Sequence, residues 1–396
     1  MLVYFAPILF LAWALISQIR GNKRADLRAL AACTFTIALI AGLRWYSESD
    51  YEPYVEIYND TPTLSQFSQE SITSVYGEAG YLFLSAIFKS LGGGFFLLAF
   101  ACAFGSMYLK SAVVRRLSAH ASLAMSLYLC LHFITIEFIQ MRWAVAAGLL
   151  SLGFCFQYLQ RYKAAVLCLA LAAAFHYFSI LFWFVSLLVS MRGYKRFYLL
   201  FLGSVLGGLF LKLDYFYDFL MIQSDMNVVT RFTEYVKNPD YNFGLLSYAK
   251  VVMYPAIYAL CVWYRPSFPW KTDRLNLFLF KLSFVSLSAT LLGSFFPVLF
   301  LRTVVVADFF SIIWILHAMD KALEREVKLV SFGGLSALFG AWYLVDLANY
   351  MHSGYLRDYQ TWLTPVAFCA LLVGLVCLVC IKLWRTGMAR EVTARP

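Results

Sequence analysis

Three arginines, Arg44, Arg142 and Arg302, stand within or at the ends of long apolar runs. A cation placed in hydrocarbon costs at least about 2.5 kcal/mol on the gentlest insertion scale, so three of them point to a shared anionic partner. The planar guanidinium fork suits a phosphate or diphosphate, which it grips at two points where a lysine offers one point charge. Arg142 carries the strongest signal, because the apolar run continues on both sides of it in Glu137-Phe-Ile-Gln140-Met-Arg142-Trp143. Its plain alternative is a structural pair with Glu137. Arg302 follows Phe296-Pro297 and has only Asp308 as a nearby acid, six residues on and off its helical face.

Around these cations lie groups able to bind sugar or move a proton. Arg44-Trp-Tyr-Ser-Glu48-Ser-Asp50-Tyr51-Glu52-Pro-Tyr54 puts one guanidinium beside three carboxylates and several aromatic faces. The same composition also suits an interfacial aromatic belt with an arginine at a helix C-terminus. Glu78-Ala-Gly80-Tyr81 opens another apolar run, where a carboxylate is equally at home facing a helix dipole. His176 follows Ala172-Ala-Ala-Phe175 at an expected helix break. A lone histidine there is either a packing residue or a proton carrier. Asp50, Glu78 and His176 are the candidate bases, and the sequence does not rank them. Arg231-Phe-Thr-Glu234-Tyr235 and Tyr350-Met-His352-Ser-Gly-Tyr355-Leu-Arg357 add further aromatic and hydrogen-bonding groups.

The elements that must position these residues are membrane helices. With 62% hydrophobic and 14% charged residues in 396, and a mean hydropathy of +0.71, the chain cannot hide its apolar surface in a soluble core. An all-α polytopic membrane protein is expected, with roughly 11–14 transmembrane or half-membrane helices around a periplasm-facing cavity. It reads as a single integral membrane domain over 1–396, and Met1 to Ile19 as a retained first helix. The formal charge of +10 falls mostly in short breaks, including Arg20 to Arg24, Lys110 to Arg116, Arg161 to Lys163, Arg192 to Arg196, Arg265 to Arg274 and Asp320 to Lys328. Cytoplasmic loops explain this pattern better than nucleic acid does. External loops then fall near 44–78, 214–244 and 349–361, which puts all three arginines near one face. The 28 residues between Lys163 and Arg192 are too few for two full spans, so two short helices should meet near His176. Gly92-Gly93-Gly94 should likewise interrupt a helix. Broken helices at membrane depth generally line an enclosed or watery cavity. All nine cysteines lie in apolar runs and suggest no disulfide framework. Cys377-x-x-Cys380 has no neighbouring His or carboxylate to make it a metal site.

No phosphate-binding loop, dinucleotide fingerprint, zinc motif or serine nucleophile elbow is present, so no cofactor is expected and metal-independent chemistry is favoured. The ordered set Gly42-Leu-Arg44 with Asp50 and Tyr54, Glu78-x-Gly80-Tyr81, Ile139-Gln-Met-Arg142, Ala174-Phe175-His176, Arg231-x-x-x-Tyr235 and Arg302 resembles the EpsG branch of the Wzy polysaccharide polymerases. The resemblance runs from about residue 40 to 310, with Trp143 where that family commonly has Gln. It implies a membrane glycosyltransferase that moves a growing glycan from undecaprenyl diphosphate to a new lipid-linked repeat unit, acting at the periplasmic face of a bacterial inner membrane. On that reading Arg44, Tyr54, Tyr81, Arg142, Arg231, Tyr235 and Arg302 bind substrate. The partners are the undecaprenyl-diphosphate-linked oligosaccharide, the bilayer, and a chain-length regulator and flippase. The competing readings are an O-antigen ligase or other lipid-linked glycosyltransferase, and a lipid-linked oligosaccharide flippase.

Overall fold

The computed structural model describes residues 2–191, 195–210, 245–292 and 297–357. Their regular elements are all helical. In chain order they are α1 (Ala6–Ile19), α2 (Lys23–Gly42), α3 (Tyr51–Asp60), α4 (Gln69–Ser74), α5 (Ala79–Ser90), α6 (Phe95–Leu117), α7 (Ala121–His132), a π-helical turn (Phe133–Ile139), α8 (Met141–Tyr158) and α9 (Tyr162–Phe175). There follow α10 (Leu181–Ser190), α11 (Lys195–Phe210), α12 (Leu245–Tyr264), α13 (Arg274–Leu292), α14 (Pro297–Ala322) and α15 (Arg325–His352). Among the described residues, six segments are long and apolar enough to cross a membrane: Lys23–Gly42, Phe95–Leu117, Ala121–Ile139, Arg274–Leu292, Phe300–Ala322 and Arg325–His352. The chain is a multi-pass helical membrane protein. Both expected breaks are present, since α5 ends before Gly92-Gly93-Gly94 and α9 ends at Phe175, with α10 beginning only at Leu181.

The described residues form two compact units, one from Met1–Ser179 and the chain after Leu329, the other from Ile180–Lys328. In the first, side chains fix the helix ends. The Asn22 side chain accepts from the Arg24 and Ala25 amides at 2.9 and 3.2 Å and so satisfies two orphan donors of α2. Asp26, one turn on, caps α7 across the fold. Its carboxylate accepts from the Ala121 and Ser122 amides, both at 3.2 Å, and from the Ser122 hydroxyl at 2.5 Å. The starts of α2 and α7 therefore share one end of this unit. The Lys89 ammonium donates to the Asn59 and Thr61 carbonyls at 2.6 Å each, which holds the end of α3 against α5. Lys110 to Arg116 is not a loop. It continues α6, and Lys110 points inward because it falls one turn after Ser106 on the buried face.

In the second unit α11, α12, α13 and α14 pack around an aromatic cluster, in which Tyr258 lies 4.3 Å from Trp314 and Phe280 lies 4.5 Å from Phe284 between ring centroids. Lys250 of α12 reaches Asp308 of α14 at 2.9 Å. The acid considered above for Arg302 thus has a lysine partner.

Candidate active site

Five helix ends, those of α2, α5, α6, α8 and α9, and the short helix α3 meet at the end of the first unit opposite Asp26. Helix α2 passes α6 so closely that a Cβ on Gly42 would stand 2.6 Å from the Phe100 Cα, so only glycine fits before the chain leaves the helix. Arg44 follows, 1% exposed. Its Nε donates to Glu48 Oε1 at 3.1 Å, its Nη1 donates to the Ala41 carbonyl, and its Cζ lies 5.5 Å from the Phe138 ring centroid. Its Nη2 is buried and has no hydrogen-bond partner. The guanidinium thus caps α2 as the plain reading anticipated, with one nitrogen left over. Glu48 accepts from the Asp50 amide at 2.5 Å through its other oxygen. Burial pushes the Glu48 carboxyl up to about 7, outweighing the pull of Arg44. Asp50 itself precedes α3, half-buried, with the Ser49 hydroxyl 3.3 Å from its Oδ1. Tyr46 between them takes the left-handed conformation at φ 45°, which costs a non-glycine residue of order 1 kcal/mol or more. Its ring packs on Tyr51 at 4.7 Å.

Arg142 opens α8 immediately after the π-helical turn, a kind of segment that recurs at functional sites. Its Nη1 donates to Glu78 Oε2 at 2.6 Å. Three tyrosine rings surround its Cζ, Tyr76 at 5.3 Å, Tyr54 at 5.5 Å and Tyr81 at 5.9 Å. A cation against aromatic faces gains about 0.5–2 kcal/mol per contact according to desolvation, so this cage holds a charge that hydrocarbon would not. The Tyr81 hydroxyl is buried without a hydrogen-bond partner. Arg142 does not pair with Glu137. The acid that fits it lies 64 residues away in sequence and was visible only as Glu78 at a helix start.

Glu78-x-Gly80-Tyr81 and Ala174-Phe175-His176 are brought together by one contact. A Cβ on Gly80 would stand 2.8 Å from the Ala174 carbonyl oxygen, so the start of α5 lies directly on the last turn of α9. His176 then leaves α9 in an extended conformation, 7% exposed, with its ring 5.0 Å from that of Trp143. The residue beside Arg142 therefore sets the histidine's wall.

Two features escaped the sequence reading. One is a buried network around Glu137. Its Oε1 receives Lys110 Nζ and the Tyr128 hydroxyl at 2.8 Å each, its Oε2 receives the Ser106 hydroxyl at 2.7 Å, and Lys110 also donates to the Ala144 carbonyl at 2.8 Å. These bonds tie α6 and α7 to the π-helical turn and to the first turn of α8. The sequence signal was a carboxylate inside an apolar run, which normally has a named partner. The other is a tie between two segments distant in sequence. Glu48 and Leu356 form an antiparallel bridge, and the Arg357 amide donates to the Ser47 carbonyl at 3.0 Å. The Tyr4 hydroxyl donates to the Arg357 carbonyl at 2.9 Å, and the Tyr343 hydroxyl donates to the Tyr4 carbonyl.

Arg44, Asp50, Tyr54, Glu78, Tyr81, Arg142 and His176 thus all belong to the first unit. Arg302 lies near the start of α14 in the second. Arg231 and Tyr235 lie outside the described residues, as do Cys369, Cys377 and Cys380. The other six cysteines are free and buried. Among the described residues no cluster of His, Cys, Asp and Glu side chains is arranged to hold a metal ion.

A multi-pass helical bundle in which a caged arginine and a carboxylate pair where helix ends meet is the architecture these residues define. A family model described as the EpsG family matches residues 27–362, and the chain belongs to that family. Membership makes it a polysaccharide-polymerase-like membrane protein with a glycosyltransferase-like role. Comparison with curated proteins and with solved structures gives no match.

Proposed function

We propose that the protein polymerises a lipid-linked glycan at the periplasmic face of a bacterial inner membrane, without metal or nucleotide. An acceptor hydroxyl of a new repeat unit attacks the anomeric carbon of the growing chain, the bond to undecaprenyl diphosphate breaks, and the leaving diphosphate carries away the electron pair. The observation that carries this reading is the Arg142–Glu78 pair at 2.6 Å inside a ring of three tyrosines. A diphosphate competes with Glu78 for the guanidinium, and the carboxylate it displaces becomes the base for the acceptor proton. The same donor contact that binds substrate therefore releases the group that activates the acceptor. Tyr54 and Tyr81 offer faces and hydroxyls to sugar, and Arg44, packed on Phe138, has one buried nitrogen to spare. His176 and Asp50 are the other base candidates. Arg302, Arg231 and Tyr235 are assigned to substrate by the motifs they share with the family. In this scheme the whole chain works as one membrane domain with outer loops near 44–78, 214–244 and 349–361, and it cooperates with a flippase and a chain-length regulator.

The test is polymerisation by purified protein supplied only with lipid-linked repeat units, with no nucleotide or divalent metal. Arg142→Lys keeps the charge but loses the two-point grip, and is expected to slow polymerisation about a hundredfold, the usual worth of one transition-state contact. Glu78→Gln is expected to slow it by about 10²–10⁴-fold if Glu78 is the base, and His176→Ala and Asp50→Asn are compared beside it. Absence of polymer from the wild-type protein under these conditions counts against the polymerase reading, and a normal rate for the lysine variant makes Arg142 structural.

A further inference from the structure

On the flank of the first unit, α2, α6 and α8 leave a cleft of about 590 Å³. Its floor is apolar, formed among others by Leu30, Phe35, Phe104 and Leu152, and its mouth at one end is edged by Arg115 and Arg116. Of the three hydroxyl side chains that line it, Thr34 and Ser111 bond to each other and so ask nothing of a ligand, and Tyr108 is exposed. Arg115 and Arg116 are exposed and occupy the last turn of α6, where cations also complement the helix dipole. Arg116 spends one nitrogen on the Ala112 carbonyl at 2.9 Å. The dipole alone would explain one such residue on any helix, but not an apolar trough leading up to two of them.

We infer that this cleft binds an anionic glycerophospholipid of the bilayer, with one acyl chain along the trough and the phosphate at Arg115 and Arg116. A trough of this volume is in the range that holds an extended ligand, and paired cations at the end of an apolar groove between membrane helices complement an acidic headgroup. The occupant is bulk phospholipid rather than the polyprenyl substrate because the arginines stand at the far end of α6. That helix has 23 residues and spans about 35 Å at 1.5 Å per residue, with Phe95 at its start packed on Tyr51 of the candidate site. Arg142 lies at the start of α8, about 21 Å at 1.5 Å per residue from Phe156, which lines the cleft with Arg115 and Arg116, so a diphosphate seated there lies out of reach of Arg142. The same end carries Lys23, Arg24 and Arg28 at the start of α2.

The experiment is native mass spectrometry of the full chain released from vesicles of equal phosphatidylglycerol and phosphatidylcholine content. Wild-type protein is expected to retain phosphatidylglycerol preferentially, less so at high salt. Arg115→Gln/Arg116→Gln is expected to lower that preference roughly thirtyfold, at about fivefold per arginine. Ala31→Trp, which fills the trough and leaves both charges in place, is expected to abolish retention of either lipid at this site, so the proposal survives a failure of the double variant to fold. Equal retention of the two lipids by the wild type overturns the inference. So does an unchanged preference in Ala31→Trp, and so does displacement of phosphatidylglycerol by an equal concentration of undecaprenyl phosphate, which would make the cleft a substrate site.

Discussion

Glu48 shows how one side chain sets a property of the whole protein. Its carboxyl titrates at about 7 in the folded chain against an ordinary value of 4.5, because burial outweighs Arg44. The folded state therefore holds the proton more tightly than the unfolded state. Below about pH 4.5 the group costs nothing, and folded stability falls as pH rises from there through 7. A shift of that size corresponds to on the order of 3 kcal/mol. The expected result is a thermal midpoint in detergent that drops between about pH 5 and pH 8, with Glu48→Gln flattening the drop. An unaltered slope in the variant would assign the titration to another group. At this scale the sequence was informative about types and poor about partners. Arg142, Glu78 and His176 were each legible as odd residues in apolar runs. That Arg142 belongs to Glu78 and not Glu137 was not, because a helix-period argument sees neighbours at three and four residues and not at 64.

At the scale of elements, the π-helical turn between α7 and α8 depends on Lys110 and Glu137. Removing either partner leaves the other as an uncompensated buried charge and is expected to cost about 3–5 kcal/mol. The pair Lys110→Met with Glu137→Leu restores neutrality and is expected to cost less than the two single changes summed, read as a coupling energy in a double-mutant cycle. Its turnover should still fall while its KM for the lipid-linked unit holds, since the turn bearing Arg142 loses its anchor to α6. Additive stability losses, or normal turnover in the double variant, would show that the network is only packing. The breaks at Gly92 to Gly94 and at His176 were readable from glycine clustering and from an interval too short for two spans. Lys110 was misread because charge density alone marked Lys110 to Arg116 as a loop. Only Arg115 and Arg116 end the helix, and the first cation of the run faces inward.

For the whole molecule, composition was enough to give a helical membrane protein, since apolar content and span length leave few alternatives. Orientation rests on loop charge. Cysteine at Ser353 should react with an impermeant thiol reagent in intact cells, and cysteine at Ser267 should not, in a background lacking the native cysteines. Both positions are exposed. The reverse pattern would invert the topology and move the candidate site to the cytoplasm. What the sequence could not supply was the meeting of distant segments, such as those at Glu48 and Leu356, because neither carries a periodic signal that names the other.

That meeting has a consequence for biogenesis. The Tyr4 hydroxyl bonds to the carbonyl of Arg357, 353 residues away, and the segment holding Arg44 and Asp50 is fastened beside it. Contacts of such long range close late, after the entropy of a very large loop has been lost. During synthesis the helices enter the bilayer one after another from the amino terminus, and domains tend to fold in that order. The segment holding Arg44 and Asp50 is therefore fastened only when α15 and the turn after it have been made. A chain released earlier carries every base candidate of the first unit but lacks the strand partner that fastens Ser47 and Glu48.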